Sequence, residues 1–351
     1  MVKAEDILAD ILAGRSVKYY EEIIEGDLDL SKLALPRDDN GRVIVKVPIE
    51  IMTNSEIRGE VKIRKAVFLK SVRFNGAAFI GDVNFHDSIF SSQANFTNAQ
   101  FRCNADFSNV KFGLDAYFRK AKFIGDADFH GAQFGGDAHF GEAKFEGNAR
   151  FSWAEFRGDA YFLIAQFNKT LGLNKLNFKK LYITWDSIKD RLYYYDKNHM
   201  DGPYKNHTDG PTYLELIKNF NIIEQFDDAD DCYYRYRKES QDHKRLYSGE
   251  RGWDLSKLSD IASWISCGYG VRPIHTVICM LCIVVIGWVL FIGSSESLFE
   301  SFFFSVMTFT GGDPDNLTPG RWLRTVVMIE AILGYLFMAL FVVVLGRKFI
   351  R

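Results

Sequence analysis

Residues 85–112 read FHDSIFSSQANFTNAQFRCNADFSNVKF. Phenylalanine stands at 85, 90, 96, 101, 107 and 112, so the steps between rings run five, six, five, six, five. The same alternation extends outward without a break, from Phe68, Phe74 and Phe79 on one side to Phe151, Phe156, Phe162 and Phe167 on the other. Two positions before each ring stands a small or modest residue: Ala at Ala77, Ala94, Ala127, Ala138 and Ala160, Val at Val72, Val83 and Val110, Ser at Ser88. Leu173 and Phe178 carry the pattern forward, and Ile63 and Ile57 carry it back. A period between five and six fits neither the 3.6-residue turn of a helix nor the two-residue alternation of a strand. It marks a stacked solenoid, in which each short face turns one ring and one small side chain inward. The intervening Gly, Asp, Asn, Lys and Gln suit solvent-facing corners.

Four such faces take 22 residues, two steps of six and two of five. Phe118, Phe140 and Phe162 are then expected on one inner face, and Tyr117, His139 and Tyr161 in one outer ladder. Adjacent coils lie about 4.8 Å apart, close enough for those outer rings to stack. The stretch resembles the pentapeptide-repeat family, whose unit is A-(D/N)-(L/F)-x-x. The resemblance covers residues 21–184, more loosely before residue 57, and implies a right-handed quadrilateral β-helix. The chain departs from the family in its five–six alternation. Some members of that family resemble duplex DNA and bind topoisomerase, which needs a strongly acidic exterior. Lys111, Lys120, Lys122, Lys144, Arg150 and Arg157 argue against that role here. His86 and His130 fall two coils apart, too far to share a metal, and no cofactor is expected.

The flanks divide into further segments. Residues 1–20 hold a capping helix, AEDILADILA at 4–13, and the start of the chain lacks the apolar core of a signal peptide. Residues 185–250 read as a loop and helical-hairpin connector, with two D-G-P turns between Asp186 and Pro211. Leu214, Ile217, Phe220, Ile223 and Phe226 recur at helical spacing, followed by Ala229, Cys232, Tyr233 and Tyr236. The basic run Arg235, Arg237, Lys238, His243, Lys244 and Arg245 reads either as a solvated face or as a collar at a lipid surface. Residues 251–273 contain an amphipathic stretch with Trp264, expected to lie at a membrane interface.

Residues 274–351 carry two apolar runs, 274–292 and 325–345, each long enough to span a bilayer. Between them SLFESFFFSVMTFTGGDPD, residues 297–315, is too short and too polar for a third span. It reads as a re-entrant helix, 297–308, followed by a turn, 309–313, that exposes backbone carbonyls. The wording FFFSVMTFTGGDPD resembles the pore of the two-span potassium-channel superfamily, YFSVVTLTTVGYGD. Phe304, Ser305, Val306, Thr308 and Thr310 match directly, and LTPGR matches PxTxxGR at Thr318, Gly320 and Arg321. The resemblance implies a selectivity filter at Thr308, Phe309, Thr310, Gly311, Gly312 and Asp313, with Asp315 at the outer mouth. TVGYG itself is missing. Fewer carbonyl rings leave an ion partly hydrated, so weak selectivity among monovalent cations is expected, with Ca²⁺ a further candidate at the filter. Glu330 inside the second run is an intramembrane acid of functional interest. Gly334 is a candidate hinge, and Phe337 and Phe341 are candidates for an apolar gate.

Lys257 and Arg272 precede the first run and Arg347, Lys348 and Arg351 follow the second, which places both termini in the cytoplasm. The net charge of −2 gives no case for nucleic-acid binding. Cys103, Cys232, Cys267, Cys279 and Cys282 form no ligand pattern and read as reduced thiols. No catalytic constellation is present, so the chain is not expected to be an enzyme. The expectation is a multidomain, multi-pass protein of the cell membrane: β-helix, helical connector and two-span pore. It self-associates, four subunits being favoured and five the alternative. A non-conducting, membrane-anchored scaffold is the rival reading.

Overall fold

The computed structural model describes residues 1–193, 210–243, 247–248, 252–253, 255–292, 297–312 and 321–350. The chain divides into two compact units, Met1–Cys232 and Tyr233–Arg351.

The first unit is a parallel β-solenoid. One coil runs through strands at Ala105–Asp106, Lys111–Phe112, Ala116–Tyr117 and Lys122–Phe123, and the next begins at Ala127–Asp128. Through the regular coils each strand pairs in parallel with the one 22 residues on, as Ala105 with Ala127 and Lys111 with Gln133. Every ring from Phe68 to Phe167 is buried, as are Ala77, Ala94, Ala127, Ala138 and Ala160. Phe118 and Phe140 stack at 4.8 Å, and Phe140 and Phe162 at 4.7 Å, on one inner face as the spacing requires. Across faces the rings meet edge-on, Phe118 and Phe129 at 5.4 Å and 88°. Burial of each ring contributes about 1.5–3 kcal/mol, and favourable ring pairs add about 0.5–1.5 kcal/mol. The outer ladder also forms: Tyr117–His139 at 4.8 Å and His139–Tyr161 at 5.1 Å.

The alternation of five and six has a backbone cause. After Phe96 the chain closes a turn with a bond from Ala99 N to the Phe96 carbonyl, and Asn98 takes φ 57. A positive φ at that place is the signature of a type II turn. It recurs every 11 residues, from Lys65 through Gly76, Asp87, Asn98, Asn109, Lys120, Gly131, Glu142, Trp153 and Ile164 to Lys175. These are the five-residue corners. The six-residue corners are tied between coils by side chains. Asp82 Oδ1 accepts from Asn104 N at 2.9 Å, Asn104 Oδ1 from Asp126 N at 3.1 Å, and Asp126 Oδ1 from Asn148 N at 2.9 Å. Coils approach so closely there that a Cβ at Gly147 would lie 2.2 Å from the Gly125 carbonyl oxygen.

Both ends of the solenoid are covered. Helix α1, Ala4–Leu12, buries Ala4, Ile7 and Ile11 over the first coil. At the other end the last long strand, Asn177–Tyr182, is followed by the short helix α2, Trp185–Ile188, and a strand at Leu192–Tyr193 that pairs with Leu171–Gly172. The solenoid thus continues a little past Ile183, where the Phe spacing ends. Helix α3, Gly210–Ile222, lies against the last long strand. Its buried Asn219 donates from Nδ2 to the Leu181 carbonyl at 2.7 Å and accepts from Leu181 N at 3.0 Å. One amide side chain thereby satisfies the two backbone groups that a further strand would have paired. Most of the expected Asp186–Pro211 loop lies outside the described residues.

Helix α4, Phe226–His243, carries the chain from the first unit into the second. There follow α5, Leu255–Cys267, a tight turn at Gly268–Gly270, α6, Pro273–Phe291, α7, Leu298–Thr310, and α8, Arg321–Phe349. Helix α6 falls on the first apolar run, α7 ends two residues past 308, and α8 extends beyond 325–345 at both ends. Lys244 and Arg245 of the basic run fall outside the described residues.

Candidate functional site

Helices α6 and α8 are long and apolar enough to cross a membrane, with mean hydropathies of 2.6 and 2.5. The shorter α7 packs against both. Phe291, Phe304 and Leu323 cluster where the three helices meet, and Phe291 and Phe304 stand edge-on at 4.7 Å. Outside this seam the apolar surface is uncovered: Phe299, Phe303, Ile286, Ile332 and Val342 are all more than half exposed.

Both ends of α7 are built. Ser297 Oγ accepts from Glu300 N at 3.1 Å, an N-cap encoded by Ser followed by Glu three residues on. At the other end Gly311 has φ 79; its N–H bonds to the Thr308 carbonyl at 3.2 Å, and Gly312 N bonds to Met307 O at 2.8 Å. This pair of bonds is a Schellman cap. The cap is seated on α8: a Cβ on Gly311 would lie 2.1 Å from the Tyr335 hydroxyl, and a Cβ on Gly334 would lie 1.9 Å from the Phe309 carbonyl oxygen. Gly334, read as a hinge, thus stands inside an unbroken helix where close approach itself requires glycine.

The expected filter is therefore divided. Thr308 and Phe309 are helical and buried, and Thr310 is helical and exposed, with Oγ1 donating to the Val306 carbonyl at 2.9 Å. The expectation that the helix ends at 308 is corrected to 310, because nothing in Thr308-Phe309-Thr310 stops a helix before the glycines do. Gly311 and Gly312 leave the helix. Asp313 and Asp315 lie outside the described residues, as does the LTPG turn.

Glu330 is 4% exposed. Ser305 Oγ lies 2.5 Å from Glu330 Oε1 and 2.9 Å from the Val284 carbonyl oxygen, so one hydroxyl joins α6, α7 and α8. Gly287 leaves room for this node, since a Cβ there would lie 2.3 Å from Glu330 Oε1. Both bonds draw on the one Ser305 hydroxyl proton, which donates to Glu330 Oε1 or to the Val284 carbonyl. Among the described residues Glu330 Oε2 has no hydrogen-bond partner. The sequence marked Glu330 as important, while its partner Ser305 could be found only once α7 was placed.

Phe337 and Phe341 are half-buried and share the face of α8 that carries Glu330, Gly334 and Val344. The exposed side of α8 carries Ile332, Tyr335, Val342 and Val343. Spacing showed that the two rings share a face; it could not show that this face packs within the subunit. Among the described residues no group of three or more His, Cys, Asp or Glu side chains could hold a metal ion.

A family model described as pentapeptide repeats (9 copies) matches residues 53–100, 89–133 and 129–175. The chain thus carries pentapeptide repeats, and the matched residues all lie in the solenoid. No curated protein and no solved structure matches the chain.

Proposed function

We propose that the chain is the subunit of a homo-oligomeric cation channel of the cell membrane, with the solenoid as a cytoplasmic regulatory or assembly domain. The observation that carries this reading is the order α6, α7, α8: two apolar helices with a short, doubly capped helix between them, ending in non-helical Gly311-Gly312 against the second. An irregular turn at membrane depth is tolerated only against protein or water. Symmetric copies around an axis would supply both, and the uncovered apolar faces of α7 and α8 would meet neighbouring copies. Four subunits are favoured, with five the alternative. With two non-helical glycines in place of TVGYG, sodium and potassium are expected to permeate alike, with Asp313 and Asp315 drawing cations to the mouth. Since Phe337 and Phe341 are half-buried on a packed face, the exposed Ile332, Val342 and Val343 are the stronger candidates for an apolar constriction.

Single-channel recording after reconstitution tests the proposal. Neutralising Asp313 and Asp315 to Asn should lower the cation conductance. The second reading, a membrane-anchored scaffold that conducts nothing, is favoured by the confinement of the family match to the solenoid. It would be supported by an intact oligomer that gives silent bilayers.

A further inference from the structure

One stretch of α4, Tyr233 to Gln241, meets several segments of its own unit. Arg237 Nη2 donates to Asp260 Oδ1 of α5 at 2.6 Å, and Asp260 is buried. Trp264 Nε1 donates to the Tyr234 hydroxyl at 2.9 Å. The Tyr269 hydroxyl donates to Gln241 Oε1, and its ring lies 5.8 Å from that of Tyr234 and 5.3 Å from the Arg237 guanidinium. Arg272, at the start of α6, lies over the Tyr234 ring at 5.2 Å. From the end of α8, Arg347 lies over the Tyr233 ring at 5.9 Å and reaches the Gly270 carbonyl at 3.5 Å. Cation–ring contacts at this range are attractive.

The backbone at the centre of this cluster is strained. Gly268, Tyr269 and Gly270 take φ 53, 60 and 78 in succession. The two glycines adopt this freely, but Tyr269 does not. A residue so placed persists only where its surroundings over-determine it. Tyr269 is 5% exposed, and Tyr234, Arg237 and Gln241 of α4 supply much of what surrounds it. Burial, with Asp260 nearby, pushes its hydroxyl up to about 12, so it stays a donor at ordinary pH. Pro273 opens α6 three residues after Gly270.

We propose that Gly268–Gly270 is a two-state latch. Engaged by α4, it holds the start of α6 and the end of α8 together. Released from α4, Tyr269 relaxes to an ordinary negative φ and both helix ends come free at once. Its bearing on conduction rests on the channel reading; the latch itself does not.

Hydrogen exchange read by mass spectrometry on the full chain in detergent micelles tests it. Tyr269→Phe and Gln241→Ala should each speed exchange in peptides covering 255–275 and 343–350 together, and the double variant should exchange no faster than the faster single. Arg237→Ala, which removes the ion pair with the buried Asp260, should raise exchange in both by roughly tenfold or more. Peptides across the Phe ladder should not change. Faster exchange at 255–275 with 343–350 unmoved would overturn the latch, as would no change in either single variant. Should Arg237→Ala unfold the chain, the milder Tyr269→Phe decides. Coupled exchange in a preparation that conducts nothing would uphold the latch and refute the channel.

Discussion

Ile164 holds a β-branched side chain at φ 60 and is 74% exposed, so its corner carries strain with little packing in return. Asn stands in the same place at Asn98 without that penalty. Ile164→Asn should therefore stabilise its coil by about 1 kcal/mol. Hydrogen exchange across residues 142–167 of the full chain should slow several-fold, and faster exchange would contradict the assignment of strain. At Glu330 a different substitution series is informative. Gln keeps a side-chain oxygen that can accept from Ser305, so Glu330→Gln should keep near-native thermal stability in detergent. Glu330→Ala removes the acceptor and leaves a cavity, and should cost about 2–4 kcal/mol. Equal stability of the two variants would mean that the hydrogen bond is idle.

At the scale of elements, the rings decided most of what the sequence made legible. Coil length, inner faces and the Tyr117 ladder all followed from the Phe spacing, because a solenoid repeats one local solution. The cause of the five–six alternation was not legible, since Lys120, Trp153 and Ile164 hide a turn that prefers glycine or asparagine. The cap at Asn219 was also hidden, because a polar residue on a helix gives no sign of which strand edge it will meet. Asn219→Ala should leave the Leu181 N–H and carbonyl unpaired, speed exchange across 177–182 and promote self-association through the bared edge. Unchanged exchange there would remove the amide from the cap. Nearby, Asp228 Oδ2 accepts from Trp185 N at 3.1 Å. Burial raises its carboxyl above the usual range, the Trp185 bond opposes this, and Asp186, Asp231 and Asp227 add to the rise. With the folded value above the unfolded one, the fold is favoured in acid and loses stability as pH rises through the folded value. Asp228→Asn should therefore be the more stable protein at neutral pH, with the difference closing in acid. An advantage independent of pH would contradict the cause given.

For the whole molecule, two parts of the sequence spoke with different strength. The solenoid announced itself over nineteen consecutive rings, from Phe68 to Phe167. The helical bundle offered two apolar runs and one short motif, in which the helix runs to Thr310 where its end was expected at 308. Thr310 is helical, and Gly311-Gly312 form a cap as well as a turn. On the proposed reading, these two glycines would line a weakly selective cation path once copies assemble. The bi-ionic reversal potential of the reconstituted full-length protein, sodium facing potassium, tests this most directly. The prediction is a measurable current that reverses close to zero. A reversal potential near the potassium equilibrium value, or an intact oligomer that passes no current, would contradict it.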